Sequence, residues 1–357
     1  MTQFHSLAIS DIRQETKDCI SISFDVPGHL QDAYHFEAGQ NITLRLKVGG
    51  EELRRSYSIC SSPLDNELRV AIKKIAAGKF STHANHQFQR GDKIDVLPPT
   101  GKFNPHVNSG HENNYLAFAA GSGITPIISI IKTTLATVPG SRFTLIYGNR
   151  SRSSIIFKEQ LDALKNKYMD RFVIHHVFSR EITDAAINNG RINAEKCEAL
   201  TPWLINPGIT DHAFICGPEE MIFGTRDWLQ QKGVEKNKIH FELFTVPGQG
   251  TKSKTHLPQG IAETTCEVVL KQDGTVFNFK LAYDGPSILD AALQQGADLP
   301  FACKGGVCAT CRAKLTGGEV EMENNYALES EELKEGFILT CQSHPLTRKV
   351  VVDFDIR

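Results

Sequence analysis

The stretch Cys303-Lys-Gly-Gly-Val-Cys-Ala-Thr-Cys311 contains three cysteines, and a fourth, Cys341, follows thirty positions later. This C-x4-C-x2-C spacing with a distant fourth cysteine is the ligand pattern of a plant-type [2Fe–2S] cluster. Two irons need four thiolates that converge from two directions, and a tight loop supplies three of them. The sequence therefore predicts that the cluster ligands are Cys303, Cys308, Cys311 and Cys341.

The residues around these cysteines favour a cluster over two alternatives. Gly305 and Gly306 allow the loop to curl and to aim N–H groups at negatively charged sulfurs. A structural zinc site usually has two C-x2-C pairs, and Cys341 has no such neighbour. A disulfide needs an oxidising compartment, whereas the remaining five cysteines are scattered and odd in number, which is typical of the reducing cytosol.

Length and composition indicate a multidomain cytoplasmic protein. The 357 residues are enough for two or three domains, and 40% hydrophobic with 22% charged residues is typical of globular proteins. A net charge of −2 gives no reason to expect a nucleic-acid partner. The N-terminal residues do not resemble an export signal. The most apolar stretch, 116–138, is broken by glycines and a proline, so no membrane partner is expected.

Residues 1–110 alternate short apolar and polar runs, for example at 20–24, 41–46 and 67–72, between turn signals. This pattern predicts a small antiparallel β-barrel. Two motifs in it suit a nucleotide-like ligand. Arg55-Ser-Tyr57-Ser58 offers a guanidinium for a pyrophosphate, a ring for stacking and a hydroxyl. The second motif is a glycine followed by hydroxyl-bearing residues, which predicts the first turn of a helix whose N–H groups bind a phosphate. Its residues are Gly78, Lys79, Phe80, Ser81 and Thr82.

Residues 111–245 alternate apolar strands with helical segments, which predicts a parallel sheet with helices on both faces. Such sheets bind ligands at the carboxyl ends of their strands. Four predicted strand ends carry suggestive residues. The first is a glycine-rich turn that includes Gly121, Gly123, Thr125 and Pro126; the second is Tyr147-Gly148-Asn149-Arg150; the third is Ser179-Arg180; the fourth is Cys216-Gly217-Pro218. The turn is not a full G-x-G-x-x-G fingerprint, because proline replaces the last glycine.

Residues 246–262 are rich in Pro, Gly, Lys, Ser and Thr without periodicity, which predicts a flexible linker. Residues 263–357 then begin with two strands around Asp273-Gly274, a hairpin signal. A helix capped by Ser287 follows, and then the cysteine loop.

The barrel, the parallel-sheet domain and the cysteine loop, in this order, resemble the ferredoxin–NADP reductase family with a C-terminal plant-type ferredoxin domain. The resemblance implies a multidomain fold: an antiparallel β-barrel flavin domain, an α/β parallel-sheet nucleotide domain and a β-grasp ferredoxin domain. It also implies that FAD is held by Arg55, Tyr57, Ser58, Gly78, Lys79, Phe80, Ser81 and Thr82, and NADPH by Gly121, Gly123, Thr125, Pro126, Ser179, Arg180, Cys216 and Gly217.

The same resemblance implies a hydride path beside Ser58, Cys216 and Glu242. Family members end in Glu-x-aromatic near the flavin ring, which Glu242 and Phe244 match. This chain continues beyond Phe244, so a core position for that residue is an alternative. Ser179-Arg180 favours NADPH over NADH, and an ordinary loop arginine is the alternative for Arg180.

Longer stretches narrow the resemblance to the reductase subunits of phenylacetyl-CoA epoxidases. These stretches are 51–60, 303–314, 318–328, 336–342 and 351–355. The implied partner is the set of oxygenase subunits of such a complex, and the implied electron path is NADPH to FAD to [2Fe–2S] to a di-iron oxygenase.

Four other interpretations stay open at the level of sequence. One is a reductase of the same build for another oxygenase or a hybrid-cluster protein. The second is a redox sensor without catalytic turnover, and the third is a flavin reductase, although a ferredoxin module would then have no purpose. In the fourth, FMN replaces FAD.

Overall fold

The computed structural model describes residues 3–103, 112–244 and 264–356. These residues form two compact units. The larger comprises His5–Leu53 and Tyr57–Phe244, and the smaller contains the C-terminal residues 264–356. The predicted linker, 246–262, and the predicted boundary at 110 lie outside the described residues. Within the described ranges, no helix combines the length and the apolar character that a membrane crossing requires.

The N-terminal part of the larger unit is an antiparallel sheet of six strands in the order β4-β3-β6-β1-β2-β5. Its strands are β1 (His5–Thr16), β2 (Cys19–Asp25), β3 (Asn41–Val48), β4 (Glu51–Ser58), β5 (Leu68–Lys73) and β6 (Lys93–Val96). A bridge between Ile59 and Val70 links the end of β4 to β5 and closes the sheet, as a barrel requires. Helix α1 (Lys79–Gln87) follows β5. The predicted barrel is confirmed.

The barrel interior is filled by side chains from alternate strand positions. In β2, Ile20, Ile22 and Phe24 join the barrel core. The serines between them are equally buried, and both accept hydrogen bonds from Arg69, which is 2% exposed. The buried guanidinium also pairs with Asp11 and Glu67, so its charge is compensated.

The second part of the larger unit is a five-stranded parallel sheet in the order β11-β10-β7-β8-β9. Its strands are β7 (Asn114–Ala120), β8 (Arg142–Asn149), β9 (Phe172–Phe178), β10 (His212–Cys216) and β11 (Ile239–Glu242). Its helices are α2 (Ile124–Thr137), α3 (Lys158–Lys167), α4 (Ala194–Leu200) and α5 (Glu219–Gln231). The strand order reverses between β7 and β10, and ligands of such sheets bind at that point.

One helix begins later than its apolar pattern suggests. The sequence predicts a helix over 155–167, whereas α3 begins at Lys158. Phe157 adopts a left-handed conformation with φ 61°, which cannot continue into a helix on its N-terminal side. Ile155, Ile156 and Phe157 are buried, so their apolar character reflects core packing.

The smaller unit contains a mixed five-stranded sheet in the order β13-β12-β18-β14-β16 and a two-stranded sheet of β15 and β17. Its strands are β12 (Thr265–Gln272), β13 (Thr275–Ala282), β14 (Arg312–Gly317), β15 (Val320–Met322), β16 (Phe337–Leu339), β17 (Ser343–Pro345) and β18 (Lys349–Asp353); its helices are α6 (Ile288–Gln294) and α7 (Ser330–Lys334). Asp273 and Gly274 both have positive φ in the β12–β13 turn, and Ser287 accepts a hydrogen bond from the Asp290 N–H. The predicted hairpin and helix cap are therefore confirmed.

The turn after β7 approaches the end of β10 so closely that only glycine fits at position 123. A Cβ atom on Gly123 would lie 2.0 Å from the carbonyl oxygen of Cys216. We expect Gly123→Ala to destabilise the fold by about 1–3 kcal/mol, because backbone must move to relieve the overlap. Thermal unfolding measures the change.

Gly224→Ala is the matched control. Gly224 lies inside α5, and nothing lies within 4 Å of a Cβ atom added there. Alanine is the better helix former, so this variant should be as stable as the wild type or more stable by up to about 1 kcal/mol. Equal unfolding temperatures for the two variants would contradict the proposed close approach.

Candidate functional site

The three residues predicted to line the hydride path lie together in the larger unit. Ser58 ends β4, is 4% exposed, and its hydroxyl donates a hydrogen bond to Glu242 Oε2 at 2.9 Å. Glu242 ends β11 and is paired in parallel register with Cys216 at the end of β10. The barrel and the parallel sheet thus contribute neighbouring side chains to one site, which sequence spacing alone did not show.

The site carries little charge at neutral pH. Burial raises the pKa of the Glu242 carboxyl to about 7, and the hydrogen bond from Ser58 partly opposes that rise. Burial and the neighbouring Glu242 charge raise the pKa of Cys216 well above its usual value. Cys216 is therefore a neutral thiol, and Glu242 is the one group of the three that exchanges a proton near pH 7.

The two predicted flavin motifs approach each other through their aromatic side chains. The rings of Tyr57 and Phe80 have centroids 5.7 Å apart. Arg55, two residues before Tyr57 on β4, is exposed, and its Nη1 donates to the carbonyl oxygen of Arg54 at 2.6 Å. Tyr57 is half-buried.

The residues from Gly78 onward begin α1, as predicted. Gly78 is the N-cap residue, and no side chain caps the helix. The first-turn N–H groups of Lys79, Phe80 and Ser81 therefore face a site without a side-chain acceptor, which suits a phosphate. The Ser81 hydroxyl accepts from the Ile75 N–H at 3.1 Å and holds the preceding turn. Lys79 forms an ion pair with Glu51, and Thr82 is exposed.

The glycine-rich turn after β7 has the geometry of a second phosphate site. Gly121 has φ +54°, and Thr125 donates its hydroxyl hydrogen to the Ser122 carbonyl at 3.0 Å. No side chain caps α2, and Pro126 lies in its first turn, where a missing N–H costs little. Gly217 packs against this turn, since a Cβ there would lie 3.0 Å from Ala120 Cβ.

Lys73 is a candidate ligand that sequence analysis missed. It ends β5 of the barrel, yet its Nζ lies 3.0 Å from where a Cβ on Gly121 would be. Burial and the nearby charge of Arg150 lower its pKa. Asp18 offsets part of this effect. No described carboxylate lies within ion-pair distance of Lys73. Two cations near a helix N-terminus favour binding of an anionic ligand.

Ser179 and Arg180 follow β9 directly and are both exposed. Their N–H groups donate to the carbonyl oxygens of Asn149 and Arg150, each at 2.9 Å, which fixes the backbone at the strand ends. Glu181, the acidic neighbour, pairs with Arg152 at 3.1 Å. The Arg180 guanidinium contacts no described acceptor and is available to a ligand.

Phe244 is 42% exposed at the end of a described segment. The alternative that Phe244 is a core residue is therefore wrong for this structure. Its stacking on a flavin ring stays a prediction.

The four predicted cluster ligands converge in the smaller unit. Cys303 lies within hydrogen-bonding distance of the Cys308 and Cys341 thiols, and Cys341 within that of Cys311. Among the described residues, no three His, Cys, Asp or Glu side chains are arranged to hold one ion. The cysteines instead contact one another in a chain, and a two-iron cluster spreads its four thiolates over two metals.

The loop backbone fits a cluster as well. The Gly305 N–H donates to Cys303 Sγ at 3.3 Å, and the Val307 N–H also reaches that sulfur. The thiols of Cys308 and Cys341 lower the pKa of Cys303 most, and these two N–H groups lower it further, which suits a thiolate. Three loop residues adopt positive φ, namely Lys304, Gly306 and Ala309. A Cβ on Gly306 would lie 2.7 Å from the Asn324 carbonyl oxygen, so this glycine permits a tight loop.

Comparison with known proteins identifies three domain families along the chain. Residues 6–104 match an oxidoreductase FAD-binding domain, residues 118–227 an oxidoreductase NAD-binding domain, and residues 270–346 a 2Fe-2S iron-sulfur cluster binding domain. The chain is 46% identical to a component of the 1,2-phenylacetyl-CoA epoxidase of Escherichia coli K12, over 100% of this chain and 99% of that protein. The chain belongs to the family of that epoxidase component.

One further relative is a reductase component, and one solved structure shares the fold. The ferredoxin reductase component of 3-ketosteroid-9-alpha-monooxygenase from Rhodococcus rhodochrous is 32% identical, over 98% of this chain and 96% of its own length. The solved structure of phthalate dioxygenase reductase superposes with a TM-score of 0.59 at 24% identity, over 98% of both chains. It shares the fold. The chain is thus an NAD(P)H-dependent oxidoreductase with FAD and [2Fe–2S] domains.

The raised pKa of Glu242 predicts a pH-dependent stability. The folded carboxyl holds its proton up to about pH 7, whereas the unfolded one releases it near 4.5. Between these values the folded state binds more protons, so the contribution of Glu242 to stability falls as the pH rises. We expect Glu242→Gln to match the wild type near pH 5 and to exceed it in unfolding temperature near pH 8.

The exposed Glu195→Gln, at the first turn of α4, controls for the loss of one negative charge. It should not gain stability between pH 5 and pH 8 relative to the wild type. A Glu242→Gln curve parallel to the wild-type curve would mean that the carboxyl is ionised throughout this range.

Proposed function

We propose that this chain carries electrons from NADPH through FAD and a [2Fe–2S] cluster to a di-iron oxygenase that epoxidises phenylacetyl-CoA. The observation that carries the proposal is the Ser58–Glu242–Cys216 site. One residue of the barrel and two of the parallel sheet meet there. A nicotinamide held by the sheet and a flavin held by the barrel would therefore lie side by side.

We assign the domains as residues 1–110 for FAD, 111–245 for the nicotinamide nucleotide, 246–262 as a linker and 263–357 for the cluster. FAD, when bound, supplies the step between two-electron hydride transfer and one-electron transfer to an iron–sulfur cluster. The cluster ligands are Cys303, Cys308, Cys311 and Cys341. We place the protein in the cytoplasm, because its nine unpaired cysteines suit a reducing compartment.

The protein groups at the hydride site bind and orient. Ser58 donates to Glu242 and so fixes the carboxyl at the edge of the flavin site. Glu242 can hold or release a proton at Oε1 or Oε2 near neutral pH. Cys216 is neutral and fully buried at the end of β10, so it puts no charge beside the nicotinamide, and Gly217 permits the close packing of this strand end against Ala120.

The phosphate groups of the two dinucleotides have separate sites. The uncapped N-terminus of α1, together with Tyr57, suits FAD. Arg55 stays a predicted ligand of its pyrophosphate, from the sequence motif. The uncapped N-terminus of α2, with Thr125, suits the pyrophosphate of the nicotinamide nucleotide. Lys73 lies close to this second turn, and we add it to the proposed ligands of that pyrophosphate.

NADPH is favoured over NADH by the residues that follow β9. Arg180 is exposed and available, with Ser179 beside it, and Arg150 adds positive charge at the end of the adjacent strand. Glu181, which would repel a phosphate, is neutralised by Arg152. A 2′-phosphate at this position would receive charge-assisted hydrogen bonds.

Arg180→Ala should therefore lower kcat/KM for NADPH by about 10- to 100-fold, the loss expected when one hydrogen bond to a charged group is removed. The kcat/KM for NADH should change less than about threefold. Steady-state reduction of ferricyanide with each nucleotide measures both values. Arg142→Ala is the control. Arg142 is also exposed, but it lies at the amino end of β8, whereas Arg180 follows the carboxyl end of β9. Equal losses with NADPH and NADH would contradict 2′-phosphate recognition.

The acceptor is proposed from the full-length identity to the component of a phenylacetyl-CoA epoxidase. We expect NADPH consumption by the holoprotein with the oxygenase subunits of such an epoxidase to rise when phenylacetyl-CoA is added, and an oxygenated product to form. The control replaces phenylacetyl-CoA with coenzyme A.

An unchanged rate, together with normal ferricyanide reduction, would contradict this acceptor and leave the electron path in place. The second candidate is then the oxygenase of another pathway, since the Rhodococcus relative is a component of a steroid monooxygenase. The same assay with other oxygenases would identify it.

A further inference from the structure

Gln342 joins the fourth predicted cluster ligand to the cysteine loop. It follows Cys341 in the chain and is 5% exposed. Its side-chain Nε2 donates to the Lys304 carbonyl oxygen at 3.1 Å and to the Cys341 carbonyl oxygen at 2.9 Å. One buried amide thus connects the two segments of chain that carry the cysteines.

The bond to Lys304 acts on a peptide group that also faces a cluster sulfur. The carbonyl of Lys304 and the N–H of Gly305 belong to the same planar peptide unit, so fixing one end fixes the other. That N–H donates to Cys303 Sγ at 3.3 Å. Lys304 itself has φ +53°, a conformation that a lysine seldom adopts without support.

Asn324 sets the orientation of the Gln342 amide. Its Nδ2 donates to Gln342 Oε1 at 3.0 Å, so the NH2 group of Gln342 must face the two carbonyl oxygens. The backbone of Asn324 also packs on the loop, because its carbonyl oxygen lies 2.7 Å from a Cβ position at Gly306. These polar contacts of the Gln342 side chain therefore all hold the cysteine loop, Cys341 and Asn324 in place relative to one another.

We propose that Gln342, oriented by Asn324, is a positioning residue that aims the Gly305 N–H at the Cys303 sulfur and so sets the reduction potential and the retention of the cluster. Hydrogen bonds to cluster sulfurs stabilise the more negative, reduced form. Loss of the hydrogen bond from the Gly305 N–H to the Cys303 sulfur should therefore make the reduction potential of the cluster more negative. The inference rests on the proposed role of the four cysteines as cluster ligands.

The test compares holoprotein variants by redox titration monitored by electron paramagnetic resonance and by cluster loss in the presence of a chelator. Gln342→Leu removes the amide at similar volume. Asn324→Asp places an acceptor against Gln342 and turns its amide away from Lys304. Both variants should show a more negative cluster potential, and Gln342→Leu should lose its cluster about tenfold faster than the wild type.

Ser343→Ala is the matched control. Ser343 is fully buried two residues after Cys341, and its hydroxyl donates to the Leu339 carbonyl at 2.8 Å without touching the loop. It should keep the wild-type potential. If Gln342→Leu behaves like Ser343→Ala in both measurements, Gln342 contributes only to packing and the inference is wrong, but the proposed electron path is unaffected. A wild-type protein without a [2Fe–2S] signal would contradict both the role of Gln342 and the proposed electron path.

Discussion

The hydrogen bond from Ser58 to Glu242 is the contact on which the proposed chemistry depends. It joins the last residue of a barrel strand to the last residue of a sheet strand, at the edge where a parallel sheet binds its ligands. Glu242 would be costly there as a free carboxylate, and burial holds it near the middle of its titration at neutral pH. A group in that state can exchange protons at little cost beside the proposed hydride-transfer site.

In the proposed sites, anionic ligands meet the backbone more than side chains. Two helices begin without side-chain caps, and a glycine precedes each of them. We propose charged side chains at two further points: Arg180 for the 2′-phosphate of NADPH and Lys73 beside the second turn. In the smaller unit the same principle recurs, because backbone N–H groups of Gly305 and Val307 face the sulfur of Cys303.

Features that chemistry ties to local spacing were predictable from the sequence. Four thiolates around two irons impose the cysteine pattern, and a strand buried on both faces, such as β10, shows as a continuous apolar run. Features that depend on distant segments were not. In the sequence, Lys73 is an ordinary lysine at the end of a strand, and only the fold brings it close to the turn after β7. Gln342 has no motif, because its partners Lys304 and Asn324 lie far away in sequence. The start of α3 was misplaced because buried apolar residues have the same pattern in a helix and in an extended core segment.

We propose that one chain passes electrons from NADPH through FAD to its own cluster. The decisive experiment is anaerobic mixing of the holoprotein with NADPH, with flavin absorbance and the paramagnetic signal of the reduced cluster followed together in time. We expect the flavin band to bleach first and the signal of a reduced [2Fe–2S] cluster to appear after it, and to be absent from Cys308→Ala. A flavin that bleaches fully while the cluster stays oxidised would contradict the account.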